Sequence, residues 1–258
     1  MKRVPILNGQ FDAVTFGETL EWIKQVIHRG DRGYISTVNV AILMMMRSNE
    51  LLQRIVEQSG LIVADGQPLV WASRWLSQPL PERVTGVDLV EAIAATAAAE
   101  GFGIYLMGAE KATIEKVSNL LKTRYPNLRL CGFDDGYFGP EKAGDRARAI
   151  RESGAQILLV GMGVPRQEVF LAEQWASLGV NVALGVGGSF EVLAGHKTRA
   201  PRWMQQSGLE WLYRLLQEPR RLMGRYLSTN SAFIYYLLQE LVRTKWLSLT
   251  LRTTPKAS

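Results

Sequence analysis

Gln156-Ile157-Leu158-Leu159-Val160 is an apolar run that ends in Gly161-Met162-Gly163-Val164-Pro165. Arg166-Gln167-Glu168 then opens a helical pattern that reaches Ser177. The run has the length of a buried strand and the glycines suit a tight turn. Proline near the first turn of a helix gives up an N–H that has no intrahelical partner. The same grammar follows at once: Val180–Leu184 is apolar, and Gly185-Val186-Gly187-Gly188-Ser189-Phe190-Glu191 is a second glycine turn leading into a helix. Strand, turn, helix, strand in succession predicts an α/β fold with a mostly parallel sheet flanked by helices.

The pattern extends upstream. Strands are predicted at Val4–Leu7, Gly33–Thr37, Leu61–Ala64, Gly103–Met107 and Leu128–Gly132. Helical periodicity covers Thr15–His28, Val40–Gln58, Val87–Ala99, Ala109–Arg124 and Glu141–Glu152, and a further helix precedes Pro79. Ligands of such sheets bind beyond the carboxyl ends of the strands. That directs attention to Thr37-Val38-Asn39, Asp65-Gly66, Gly108, Gly132–Gly136 and the two glycine turns.

Strand signals stop after Gly195, which predicts a core over residues 1–195 and a helical appendage over 196–258. Charge divides at nearly the same place. Residues 1–196 hold 19 Lys/Arg and 21 Asp/Glu, whereas 197–258 hold 11 and 3 and interleave them with Trp203, Trp211, Tyr213, Tyr226, Phe233, Tyr235 and Tyr236. A basic, aromatic tail on a neutral body points to an anionic partner, and its aromatic content suits a lipid interface at least as well as nucleic acid. The bland reading is a solvated basic face.

Several classes are disfavoured. One cysteine, Cys131, allows no internal disulfide. The amino terminus has no apolar core of about 7–15 residues for a signal peptide, and no stretch reaches the roughly 18 apolar residues of a spanning helix. The expectation is a cytoplasmic protein. Two histidines and one cysteine make a zinc site improbable. Neither glycine turn carries the Lys-Ser/Thr of a Walker loop or the third glycine and distal acid of a dinucleotide fingerprint, which argues against ATP hydrolysis and against a nicotinamide-dependent oxidoreductase. Asp134-Asp135 lacks Asp-X-Asp spacing and reads as a turn.

Candidate chemistry lies on the predicted strand ends. Two glycine turns on one sheet edge, each opening a helix, favour a nucleotide diphosphate, since free amides and the helix dipole attract phosphate; Gly187 and Gly188 belong to this cradle. Gln167 and Glu168 are placed to recognise sugar or base hydroxyls. Asp65, after a buried strand and before glycine, is positioned to act as a general base, although a helix cap is the commoner role of an aspartate so placed. Arg214, Arg221 and Arg225 lie seven and four apart, with Pro219 expected to split their helix; with Arg220 they suit a diphosphate.

Taken together, Thr37-Val38-Asn39, Ala64-Asp65-Gly66-Gln67-Pro68, Glu82–Asp88, Gly161–Glu168, Gly185–Gly195, Arg199-Ala200-Pro201 and Gly208–Arg214, with Glu218–Leu222 and Arg225-Tyr226, resemble the WecG/TagA/CpsF family of bacterial glycosyltransferases (glycosyltransferase family 26). The resemblance runs from about residue 4 to 226. It implies a Rossmann-like core with a basic, membrane-touching appendage, and an inverting transfer of a sugar from a UDP-sugar to a polyprenyl-diphosphate-linked saccharide. The best-known case is N-acetylmannosamine onto undecaprenyl-diphosphate-N-acetylglucosamine at the inner face of the cell membrane, for teichoic acid, common antigen or capsule. It implies Asp65 as base, Thr37, Asn39, Arg83 and Gln167 as pocket residues, and Arg214, Arg221 and Arg225 as lipid-diphosphate ligands, with no metal or other cofactor. The family often has Asp at the position of Glu191, so the longer side chain bears on the donor contact and leaves another UDP-hexose, such as UDP-glucose, as the alternative. The oligomeric state stays open, a homo-oligomer included.

Overall fold

The computed structural model describes residues 2–253, with side chains through Thr244. Six strands form one fully parallel sheet: β3 (Gly33–Val38), β4 (Leu61–Ala64), β5 (Gly103–Gly108), β6 (Arg129–Asp134), β7 (Ile157–Gly161) and β8 (Val182–Gly185), in the order β4-β3-β8-β7-β5-β6. The central strands are buried on both faces, which is why they read as continuous apolar runs rather than alternating ones.

Alternate residues serve the two faces. Ile35, Leu106, Leu159 and Leu184 pack against α1 (Phe16–His28), α5 (Gly86–Glu100), α6 (Lys111–Arg124) and the short α9 (Ser189–Leu193). Tyr34, Met107, Val160 and Ala183 face α7 (Ala143–Glu152) and α8 (Arg166–Leu178). Val38, Ile62 and Ala64 face α2 (Val40–Ser48), α3 (Glu50–Glu57) and α4 (Gln67–Trp75). At the carboxyl edge Gly108 has φ +140°, and a Cβ there would lie 2.4 Å from the Gly161 carbonyl, so glycine lets β5 and β7 end side by side.

Two expectations are corrected. The amino-terminal strand lies outside the parallel sheet. β1 (Arg3–Ile6) pairs antiparallel with β2 (Gly9–Asp12), and the buried Asp12 carboxylate anchors this hairpin by accepting from Arg3 Nε at 3.2 Å and from the Ile62 amide at 2.8 Å. The helix expected over Val40–Gln58 breaks at Asn49, whose extended backbone ends α2 and whose side chain accepts from Leu52 N at 3.0 Å to cap α3.

Beyond α9 the chain continues as α10 (Arg202–Gln206), α11 (Glu210–Gln217) and α12 (Pro219–Thr253). Pro219 opens α12, so Arg214 sits on one helix while Arg221 and Arg225 sit on the next. Residues 254–258 of the expected appendage lie outside the described residues. Arg199 fastens this segment to α5 through paired hydrogen bonds to Asp88, which Thr85 also contacts at 2.6 Å. α12 lies along α2 and buries Phe233 and Leu237 with Val4, Ile6, Phe11 and Leu43. Its other side exposes Leu227, Ile234, Leu238 and Val242. No helix among the described residues is long and apolar enough to cross a membrane.

If α12 is part of this core, Phe233→Ala costs about 3–5 kcal/mol of unfolding free energy, the usual value for a buried phenylalanine. Tyr235→Ala, on the exposed side, changes it by less than about 0.5 kcal/mol. Urea unfolding compares the two; equal small effects would place α12 outside the cooperative core.

Candidate active site

The carboxyl ends of the parallel strands converge on a cleft of about 250 Å³, closed on its far side by α11 and α12. β3 supplies Thr37 and Asn39, β4 delivers Asp65, and the turns after β7 and β8 supply Gly161–Gly163 and Gly187-Gly188. Arg214, Arg221, Arg225 and Tyr226 form the opposite wall. Of the residues singled out from sequence, Thr37, Asn39, Asp65, Gln167, Gly187, Gly188, Glu191, Arg214, Arg221 and Arg225 line this one cleft. Arg83 and Glu168 do not.

Local bonding shows what each side chain has left to offer. Thr37 Oγ1 donates to the Gly185 carbonyl at 3.0 Å, which ties β3 to the end of β8. Asn39 Oδ1 caps α2 by accepting from Ile42 N at 3.0 Å, leaving its NH₂ as the free group. Gln167 Oε1 accepts from Gly187 N at 3.0 Å and its Nε2 donates to Glu168 Oε1 at 2.8 Å, so this glutamine fixes the second glycine turn. A Cβ at Gly185 would meet Gln167 Nε2 at 2.5 Å, so the turn and the amide fit only with glycine there.

Glu168 is buried beneath Gln167. Its Oε2 and the Nε of Arg225 are buried polar atoms that find no hydrogen-bond partner among the described residues. Burial pushes the Glu168 carboxyl up to about 7, against the pull of Gln167 and of Arg225. Arg83 lies farther along, where Nη1 donates to Glu210 Oε2 at 2.9 Å and Nη2 to Gln205 Oε1 at 3.1 Å. Glu210 also accepts from Arg214 at 3.4 Å. Arg221 is paired with Glu218 at 2.8 Å.

Asp65 lines the cleft and is partly exposed to it. It caps no helix: the N-cap of α4 is Gly66, and it receives no side-chain hydrogen bond. Burial pushes its carboxyl up to about 6, opposed by Arg214, Arg83 and the Gly86 amide and reinforced by Glu210. A carboxyl raised in this way into the range near neutral pH is of the kind that general bases require. The turn expected at Asp134-Asp135 begins only at Asp135, because Asp134 is the last residue of β6, paired with Met107. Arg146 grips both, and Asp135 accepts from Tyr137 N at 2.9 Å. No group of three His, Cys, Asp or Glu among the described residues is arranged to hold a metal ion.

The sequence reading missed several contributors, three of them able to act on an anion or a sugar. Lys197, Glu218 and Tyr226 line the cleft from segments whose approach depends on the Arg199–Asp88 pairing. Arg199-Ala200-Pro201 and Thr85–Asp88 were both conspicuous in the sequence, but their contact joins residues 111 positions apart.

A carboxylate raised in pKa, facing arginines across glycine turns, equips an α/β enzyme for group transfer from a phosphorylated donor. Comparison with known proteins narrows the class. A family model described as glycosyl transferase WecG/TagA/CpsF matches residues 4–246, and the chain belongs to that family. It is a glycosyltransferase of cell-surface polysaccharide synthesis, in a family that uses nucleotide-sugar donors and lipid-linked acceptors.

The raised carboxyl of Glu168 has a measurable consequence. A folded-state pKa near 7 against an ordinary 4.5 means that ionisation is resisted in the fold. Its cost is absent below about pH 4.5 and grows as pH rises to 7, reaching at most roughly 3 kcal/mol. Glu168→Gln, which keeps a partner for Gln167, should raise Tm relative to wild type at pH 8 and much less at pH 5. The same difference at both pH values would show that Glu168 titrates outside this range.

Proposed function

We propose that this enzyme moves N-acetylmannosamine from UDP to a polyprenyl-diphosphate-linked saccharide, with inversion at the anomeric carbon and without a metal. The observation that carries the reading is Asp65, a raised carboxylate that caps no helix and stands where the sheet-side turns meet the arginine wall. In a single displacement, the acceptor hydroxyl oxygen attacks the anomeric carbon as the bond to the UDP oxygen breaks, and Asp65 takes the hydroxyl proton. Negative charge grows on the departing diphosphate. Arg221 and Arg225, with amides of the Gly187-Gly188 turn, stabilise it there, because preorganised charge acts strongly in a site that excludes water. Arg214, beside Asp65, completes the cationic wall toward the acceptor diphosphate.

Glu191 lines the donor side within the same turn, and a UDP-hexose lacking the acetamido group is the alternative donor that a panel of UDP-sugars distinguishes. The basic residues and exposed apolar side chains of α11 and α12 support peripheral attachment at the inner membrane face, where Lys and Arg meet anionic lipid. Catalysis in this reading needs neither nucleic acid nor a nicotinamide cofactor.

Asp65→Asn should cut turnover by about 10²–10⁴-fold while calorimetry with UDP in EDTA still shows binding. Because the base must be ionised, wild-type kcat/KM should fall tenfold per pH unit below about 6 and plateau above. Near-normal turnover in folded Asp65→Asn would remove Asp65 from the chemistry. Absence of UDP binding under every metal condition would remove the donor assignment, whereas binding that requires Mn²⁺ would remove only the metal-free claim.

A further inference from the structure

A second cavity, of about 290 Å³, lies on the other side of Asp65, between α4 and the α11–α12 pair. It shares Asn39, Ala41, Asp65, Arg214 and Tyr226 with the cleft, so the two spaces meet at the carboxylate. Their chemistries differ. The cleft is walled by glycine turns and arginines. The second cavity is walled by Trp71, Trp75, Trp211, Phe233, Ile234 and Leu237 and opens at Trp75 and Ile234, which are 60% and 57% exposed.

Four of the polar side chains along this cavity, Arg83, Gln205, Glu210 and Arg214, are committed to each other. Gln205 accepts from Arg83 and donates to the Ala200 carbonyl at 2.8 Å, and Glu210 accepts from both Arg83 and Arg214. Gln67 and Asn230 also reach its wall, but aromatic and aliphatic side chains make up most of it, so a hydrocarbon chain would gain apolar contact along it. The charge lies at the inner end, where Arg83 and Arg214 are close enough to act on Asp65. From Asp65 outward the order is a base, two guanidinium groups and an aromatic-aliphatic slot.

We propose that this slot holds the first isoprenoid units of the lipid-linked acceptor, with its diphosphate beside Arg83 and Arg214 and its sugar hydroxyl at Asp65. The proposal rests on the glycosyl-transfer reading and commits to one occupant. That occupant's parts, hydroxyl then diphosphate then hydrocarbon, follow the order of the groups in the protein. It also divides the arginines: Arg83 and Arg214 serve the acceptor, while Arg221 and Arg225, which line only the cleft, serve the donor.

The test uses the full chain in solution without vesicles. Two acceptors carry the same saccharide diphosphate, one on a geranyl chain and one on a methyl group, and Trp75→Glu and Ile234→Glu place a charge at the exposed mouth. Wild type should show a lower KM for the geranyl acceptor. Each variant should raise that KM roughly tenfold, since it replaces apolar wall with a charge that the bound chain would partly desolvate. The methyl-acceptor KM, the UDP-sugar KM and kcat should stay unchanged. Equal shifts for both acceptors, no shift, or a chain preference that appears only when anionic vesicles are added would overturn the slot.

Tryptophan fluorescence with geranylgeranyl diphosphate against inorganic diphosphate gives an arm independent of turnover. Tighter binding of the prenyl compound, lost in both variants, supports the slot even if no sugar is transferred, an outcome that would sink the glycosyl-transfer reading alone. Equal affinity for the two compounds would remove the slot whatever the enzyme transfers.

Discussion

Holding a carboxylate in a place that resists its ionisation is the constraint around which the site is arranged. Asp65 follows four fully buried residues of β4, so the sheet delivers it to the carboxyl edge with little freedom. Its surroundings crowd it on the protein side, leave it open to the cleft, and supply no dedicated ion-pair partner among the described residues. Arg83 and Arg214 pull its pKa down from a distance, but both are drawn toward Glu210, which pushes the other way. Had either arginine paired with Asp65 directly, the carboxylate would be too weak a base to take a proton from a hydroxyl.

That balance requires both ends of the chain. Asp65, Thr37 and Asn39 come from the first strands, and Glu210, Arg214, Arg221 and Arg225 come from helices beyond the last strand. Arg199 on Asp88 and the burial of Phe233 and Leu237 against the amino-terminal hairpin hold the two parts together. The packing of α12 therefore closes the arginine wall over the cleft and forms one side of the apolar slot. A helix that reads as an appendage by charge contributes buried side chains to the core.

Most of the architecture was legible because its signals are local. Ile157–Val160 and Val182–Leu184 show their strands by apolar runs, and Gly163 and Gly187, both at positive φ, show the turns by conformational need. Pro219 marks the division between the arginines. The misses share a cause. Gly9-Gln10-Phe11-Asp12 has one large apolar residue and becomes a strand through Asp12 bonding to Ile62, fifty positions on. Asn49 reads as one more polar position in a long helix until its side chain is seen capping the next one. Glu168 resembled a cleft residue by its place in the motif, yet it is buried against Gln167 and does not line the cleft. Arg83 meets Glu210 across 127 positions, and the apolar slot exists only because α4 and α12 face one another. No local pattern encodes such meetings.

The account turns on the ionisation of one group, which can be observed without any substrate. Carboxyl carbons labelled with ¹³C in aspartate, with the Asp65 resonance assigned by its loss in Asp65→Asn, report that ionisation directly by NMR titration. The account predicts a midpoint near 6 in the free enzyme. A midpoint near the ordinary aspartate value of about 3.9 would mean that the fold does not hold Asp65 as a base, and would contradict the mechanism built on it.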